Sequence, residues 1–289
     1  MSTAKSLLGI AMSGTPLEKE YALVRVGLER TPILVDRFDP SGYDPKLVVR
    51  IREQWATRMA GEHRSTTVFS NLAAQLIEAN ASLDAKVVML RMAQDELRHT
   101  ETCGQVVQAL GGEPQVMTDI AVSPLATHRG RSPEERALRN VIYTTCLSEM
   151  IAVARLVDEL DTTEDPFLRD ATRRLLADEV LHGQFGFLYL EAWRPWLEAN
   201  PEAVESIHRY LVHALAVLEL ALGGPESKAR ISDEARALGI DDGAKGRTIF
   251  YDTIEGAILP GLDRFGVDAT KAWKERRLLE GGEVPPRPE

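Results

Sequence analysis

The chain holds little that would take it out of the ordinary run of globular proteins. Cys103 and Cys146 are its only cysteines, too few for a disulfide framework, so a reducing cytoplasm is the expected compartment. Aromatic residues make up 6% of the sequence and β-branched alternation is rare, so strands are not expected. No basic run relieves the net charge of −10, which excludes nucleic acid as a partner. Long apolar runs are missing too. The stretch Ala214–Leu222 is broken by Glu219, which makes it core helix and not a membrane span. The opening segment Lys5–Met12 has one Lys and a short apolar run, so no signal peptide is expected there.

What is present is helical spacing over most of the length, which makes the expected fold class all-α. Residues 1–15 lack periodicity and read as mobile. A short helix around Leu17–Leu28 and a loop ending near Pro45 follow. The first long helix is expected from about Lys46 to Ala79, with Trp55, Met59, Glu62, Thr66, Phe69, Ala73 and Leu76 on one stripe. Ser82 is placed to cap a second helix running to Leu110 and ended by Gly111-Gly112. Its stripe is Ala85, Met89, Met92, Glu96, His99, Cys103, Val107 and Leu110. Residues 111–133, broken by Gly and Pro, form a long crossover. Ser132-Pro133-Glu134-Glu135 has the form of a helix start. A third helix should reach Leu160 with Leu138, Ile142, Cys146, Glu149, Val153 and Leu156 on its stripe. A fourth, from Pro166 to Trp193, carries Leu175, Glu179, His182, Gly186 and Leu190. A fifth covers Pro201–Leu222, and two weaker helices are expected near 227–238 and 247–265. The expected division is an N-terminal extension (1–45), a helical bundle (46–222) and a C-terminal helical extension (223–289).

The second and fourth helices each contain Asp-Glu-x-x-His: Asp95-Glu96-Leu97-Arg98-His99 and Asp178-Glu179-Val180-Leu181-His182. At i, i+3 a Glu and a His share one helical face and can hold one metal ion. The first and third helices each carry one Glu inside an apolar stripe, Glu62 and Glu149. Helices joined by a short turn fold back antiparallel, so residues equally far from the turn lie level. Glu62 stands about 18 residues before the first turn and Glu96 about 16 after it. Glu149 and Glu179 stand about 16 and 15 residues either side of the second. Glu53, Glu78 and Glu159 fail this test.

Four carboxylates and two neutral imidazoles balance two divalent ions, whereas four buried carboxylates without metal would be costly or protonated. The mixed oxygen and nitrogen donors suit iron or manganese, or a mixed pair, better than magnesium or calcium, and a set without thiolate suits zinc less well. Asp95 and Asp178 are placed to reach the histidine of the opposite motif and fix its tautomer. A bundle of buried ion pairs would instead need cations on the ligand stripes, and Arg91 and Arg98 fall off them. Cys103 and Cys146 read first as small apolar filler. The sharper reading makes Cys103 a wall of an oxygen pocket.

At Glu62, Asp95-Glu96-x-x-His99, Glu149 and Asp178-Glu179-x-x-His182 the chain resembles the ferritin-like di-iron carboxylate superfamily. The resemblance covers about residues 46–193. It implies a four-helix bundle of two antiparallel hairpins, with Glu96 and Glu179 bridging two irons, Glu62 and Glu149 terminal, and one His on each. It also implies an enzyme that activates O2 to oxidise a small organic substrate by hydroxylation, N-oxygenation or desaturation. Electrons would come from a reductase, a ferredoxin or the substrate, and a homodimer is the expected assembly. The alternatives are an iron-handling ferroxidase or a peroxide scavenger. Cys103 stands where reductase small subunits of this superfamily carry a radical Tyr, and Leu175 where its N-oxygenases carry an extra His. Val153 stands where its monooxygenases carry a Thr, and the Cys-x-x-Cys pairs of rubrerythrins are missing. The resemblance is therefore to the superfamily and not to one branch.

Overall fold

The computed structural model describes residues 6–9, 38–119, 125–223 and 231–276, and over them the chain is all-α apart from one short strand pair. The expected helix around Leu17–Leu28 lies outside the described residues. Helix α1 spans Pro45–Glu78. It starts where Asp44 accepts the Lys46 N–H and Pro45 supplies a fixed φ, and buries Ile51, Trp55, Met59, Phe69, Leu72 and Leu76. Asn80, at φ 51°, turns the chain into α2, Leu83–Ala109. Ser82 holds the N-cap position there, but its side chain makes no capping bond.

The third long helix is not uniform. It begins as α3, Pro133–Val141, capped by the Ser132 hydroxyl on the Glu135 N–H. It widens to a π-helix over Ile142–Glu149 and resumes as α4, Met150–Thr162. Helix α5 covers Pro166–Ala192, with the Asp165 carboxylate accepting from the Phe167 and Leu168 N–H groups. Trp193 ends it, and a short α6 (Arg194–Ala199) leads into α7, Pro201–Leu222.

Side-chain contacts fix how these helices lie. In α1 and α2, Arg52 reaches the Gly111 carbonyl while Glu62 meets His99, so the pair is antiparallel. Thr172 bonds Glu159, and Gly186 abuts Cys146, so α5 runs back along α4 and the π-segment. Arg98 meets Asp178 while His182 faces Asp95, which sets α2 against α5. Arg58–Glu159 and Gln75–Asn140 set α1 against the third helix. Each neighbouring pair among these four is antiparallel. Pro133–Thr162 is the one helix among the described residues long and apolar enough to cross a membrane, and half of its most apolar 18 residues are buried inside the protein.

Two expectations are corrected. Residues 1–15 do not lack structure throughout, because Ser6–Gly9 (β1) pairs antiparallel with Gln115–Thr118 (β2) in the crossover, Ser6 opposite Thr118. Residues 227–230 of the first expected tail helix lie outside the described residues; over the described part the tail is made of shorter pieces: α8 Asp233–Ala237, α9 Gly243–Thr253, a π-turn Ile254–Ile258, α10 Leu259–Asp263 and α11 Ala269–Glu275. Gly239 at φ 74° and the capping Asp242 divide α8 from α9. The tail is pinned to the bundle, with Gln54 donating to Gly239 and accepting from the Asp241 N–H.

Candidate metal centre

The helical period brings Glu96 and His99 to the inner face of α2, and Glu179 and His182 to the inner face of α5. All four are buried. Glu62 from α1 and Glu149, the last residue of the π-segment, complete the ring and keep some accessible surface. Glu62, Glu96, His99 and Glu179 offer donor atoms within 4.8 Å of one another, and so do Glu149, Glu179 and His182. The six residues picked out by spacing are thus gathered at one place, in two groups that share Glu179. Each group could hold a metal ion.

The histidines are oriented alike. His99 Nδ1 points inward, 3.0 Å from Glu179 Oε1, 3.7 Å from Glu62 Oε2 and 4.0 Å from Glu96 Oε2. His182 Nδ1 lies 3.1 Å from both Glu96 Oε1 and Glu179 Oε2. The other ring nitrogens point outward across the helix pair. His99 Nε2 is 3.4 Å from Asp178 Oδ2, and His182 Nε2 is 3.6 Å from Asp95 Oδ2. Each aspartate therefore faces the histidine of the opposite motif. At His99 a proton held on Nε2 by Asp178 leaves Nδ1 as a lone pair aimed at carboxylate oxygens, while at His182 the aspartate stands opposite Nε2 but beyond hydrogen-bond reach.

Arg98, off the ligand stripe as expected, has a part that the spacing did not reveal. Its guanidinium donates to Asp95 Oδ1 at 2.5 Å and to Asp178 Oδ2 at 2.8 Å, joining the two motifs. Arg91 adds a bond to Asp95 at 2.7 Å. The i, i+3 and i, i+4 spacings of these arginines to Asp95 were the available signal. The cations that an ion-paired core would require thus serve the outer aspartates and leave the inner ring to carboxylates and imidazoles.

That inner ring is left unsatisfied. Both carboxylate oxygens of Glu96, Glu179 Oε2 and Nδ1 of both histidines are buried without a hydrogen-bond partner. A buried polar group in that state is costly unless protons or a cation compensate it. Protons do so in the metal-free chain. Burial, then the charges of Glu179 and Glu62, push the Glu96 carboxyl well above its usual range. Burial with Glu179 and Glu96 does the same to Glu149. Burial opposes charge on His99, but the carboxylates of Asp178, Glu179 and Glu62 around it outweigh that and raise its pKa. Burial is likewise overcome at His182 by Asp95, Glu179 and Glu96, which raise it to about 12. Glu179, close to both imidazoles, moves the other way against its burial.

Local backbone chemistry sets the third helix in place. In the π-segment Thr145 returns its hydroxyl to the Val141 carbonyl. Gly186 of α5 packs so closely that a Cβ there would stand 2.3 Å from Cys146 Sγ and from Thr145 Oγ1. Cys146 is thus the close-packing residue expected of small filler. Cys103 is fully buried beside Arg58 and Glu62, and burial followed by the Glu62 charge pushes its thiol well above the usual value. The Phe69 ring meets His182 edge-on at 5.3 Å. The carboxylates excluded by height lie elsewhere, Glu159 against Arg58 and Glu78 against Arg136.

Of the six, Glu62 on α1 and Glu149 on the third helix keep the most accessible surface. Between α1, α4 and the tail lies a cleft of about 590 Å³ lined by Gln54, Arg58, Arg155, Glu159, Ile240 and Ile249. Arg58 precedes Glu62 by one turn of α1. No protein-family model matches this chain, and no curated protein matches it.

Proposed function

We propose that this chain is a ferritin-like di-iron carboxylate oxidase or oxygenase acting on a small organic substrate. The observation that carries the reading is the inner ring itself. Four carboxylates and two inward Nδ1 atoms stand in two overlapping groups, and the buried members, Glu96, Glu179 and both Nδ1 atoms, lack hydrogen-bond partners enough to satisfy them. Two divalent cations would neutralise four carboxylates and accept both imidazole lone pairs, so the residues present fit the group. The antiparallel packing of four long helices, with a crossover between α2 and α3, supports the ferritin-like assignment within the all-α class.

Glu62, Glu96, His99 and Glu179 would hold one iron, and Glu149, Glu179 and His182 the other, with Glu96 leaning toward the second through His182. Such a pair supplies, when bound in its reduced state, the electrons and the open coordination with which O2 is activated. The chain's own residues do the rest. Asp178, steadied by Arg98, keeps the proton on Nε2 of His99 so that Nδ1 stays a donor, and Asp95 stands opposite Nε2 of His182. Glu62 and Glu149, the most accessible of the six, are the carboxylates free to shift when a substrate approaches. The cleft between α1, α4 and the tail supplies the approach, and the buried α2–α5 side excludes water. Restoring the reduced state requires a separate electron donor or the substrate.

The test is O2 uptake by the Fe(II)-loaded chain with a chemical reductant, followed optically. The reading expects uptake and a transient visible band, both lost in Glu96→Ala and His182→Ala. Iron held without any O2 uptake would count against an oxygenase.

A further inference from the structure

The outward face of α2 repeats large apolar residues at a strict four–three spacing. Leu83, Val87, Leu90 and Leu97 are 76, 56, 52 and 52% exposed, with exposed Gln94 in the remaining place. That is the seam pattern of a helix packed on another helix, here facing away from its own core. The neighbouring α5 repeats it with Ala177, Leu181, Gln184 and Leu188, of which Leu188 is 61% exposed, and Val180 adds to the row. The register set by Arg98–Asp178 and His182–Asp95 puts the two rows side by side. By that register Leu90 is level with Leu188, Gln94 with Gln184, and Leu97 with Leu181, each within about a residue.

We infer that this α2–α5 face is the interface of a homodimer, and that its occupant is the same face of a second copy. The matched heights argue for a copy of this chain over another partner. A twofold axis parallel to the helices keeps every residue at its own height and carries α2 of one chain over α5 of the other. Leucine then meets leucine at two levels, glutamine meets glutamine between them, and the helices meet antiparallel. The same operation brings Lys86 level with Glu191, whose carboxylate is held by Arg194 of its own chain. The polar glutamine row between apolar rows fixes the register, as single polar positions do in coiled coils. The area suffices. A 27-residue α2 is about 40 Å long, and two helices side by side are about 20 Å wide, giving about 800 Å² per partner, the size of a standard stable interface. The inference does not depend on metal.

Analytical ultracentrifugation of the full chain is the test, made with and without added Fe(II). The expected result is twice the 32.0 kDa chain mass at low micromolar concentration, falling to the single mass in Leu90→Glu/Leu188→Glu. Those side chains are exposed in one chain, so the variant should keep its helical circular dichroism. Oxidative cross-linking fixes the arrangement, because native Cys103 and Cys146 are buried. A mixture of L90C and L188C chains should form a disulfide-linked heterodimer, and L90C alone should not cross-link. A monomeric wild-type chain, or a dimer untouched by the double variant, overturns the inference. Efficient self-cross-linking of L90C would overturn the α2-over-α5 arrangement.

Discussion

His99 and Asp178 belong to different Asp-Glu-x-x-His motifs, yet Nε2 and Oδ2 stand 3.4 Å apart, and Arg98 steadies the aspartate from 2.8 Å. His182 and Asp95 repeat the relationship at 3.6 Å. Each motif thus contributes two of its side chains to the inner ring and lends its aspartate to the other motif. The two helices act as one unit, which gives separate predictions for the outer and inner residues.

Asp178→Asn keeps the shape of the side chain but no longer favours a proton donor at His99 Nε2. Loss of such a partner costs about 10–100-fold in metal affinity. Competition with a chromophoric chelator should show that loss, with the far-ultraviolet spectrum unchanged. Asp95→Asn should do the same, and Arg98→Ala should weaken both halves together.

Glu96→Gln should move two properties in opposite directions. In the metal-free chain it replaces a buried carboxyl that has no hydrogen-bond partner, so the apo melting temperature should rise. In the loaded chain it removes an anionic ligand, so metal affinity should fall. Calorimetric melts with and without Fe(II) read both. A Glu that merely filled space would show neither change.

Protonation sets how apo stability depends on pH. His99 and His182 have folded pKa values raised above the free value, His182 to about 12, and Glu96 and Glu149 are raised above theirs. A raised folded pKa gives stability that is complete below the unfolded pKa and is lost as pH climbs toward the folded one. The histidine contribution therefore fades upward from about pH 6.5, and the carboxyl contributions from about 4.5. Glu179 is lowered and acts oppositely, but only in acid, where its contribution is lost as pH falls. The apo chain should thus melt lower at pH 8 than at pH 6. Metal displaces the same protons, so its affinity and its stabilising effect should both grow over that interval.

Gly186→Ala tests the backbone that carries Glu149. A methyl there would collide with Cys146 and Thr145 in the π-segment. Overpacking of this kind costs about 1–3 kcal/mol. The variant should melt lower, and because the π-segment must move, it should also bind metal more weakly. An unchanged metal affinity would separate the packing from the site.

The long helices were legible because their stripes repeat every three and four residues over many turns, as in Phe69–Ala73–Leu76 and Met89–Met92–Glu96. The inner ring was legible for a related reason. Glu and His at i, i+3 must share a face, and short turns bring equal heights together. The π-helix at Ile142–Glu149 was not, because its apolar residues fit a continuous α-stripe and the wider turn leaves no mark in composition. Arg98 was half legible. Its spacing to Asp95 is local, but its bond to Asp178 depends on how α2 and α5 meet. The β1–β2 pair escaped because two four-residue strands carry no periodicity of their own. In the tail, Gly239 and Asp242 cut what reads as longer helices.

The most direct measurement is an anaerobic Fe(II) titration of the purified chain, with metal content determined after desalting. The account predicts saturation at about two irons per chain, and less than that in His182→Ala and Glu179→Ala. A folded chain that retains no stoichiometric metal would contradict it, and the two Asp-Glu-x-x-His motifs would then be a protonated structural core.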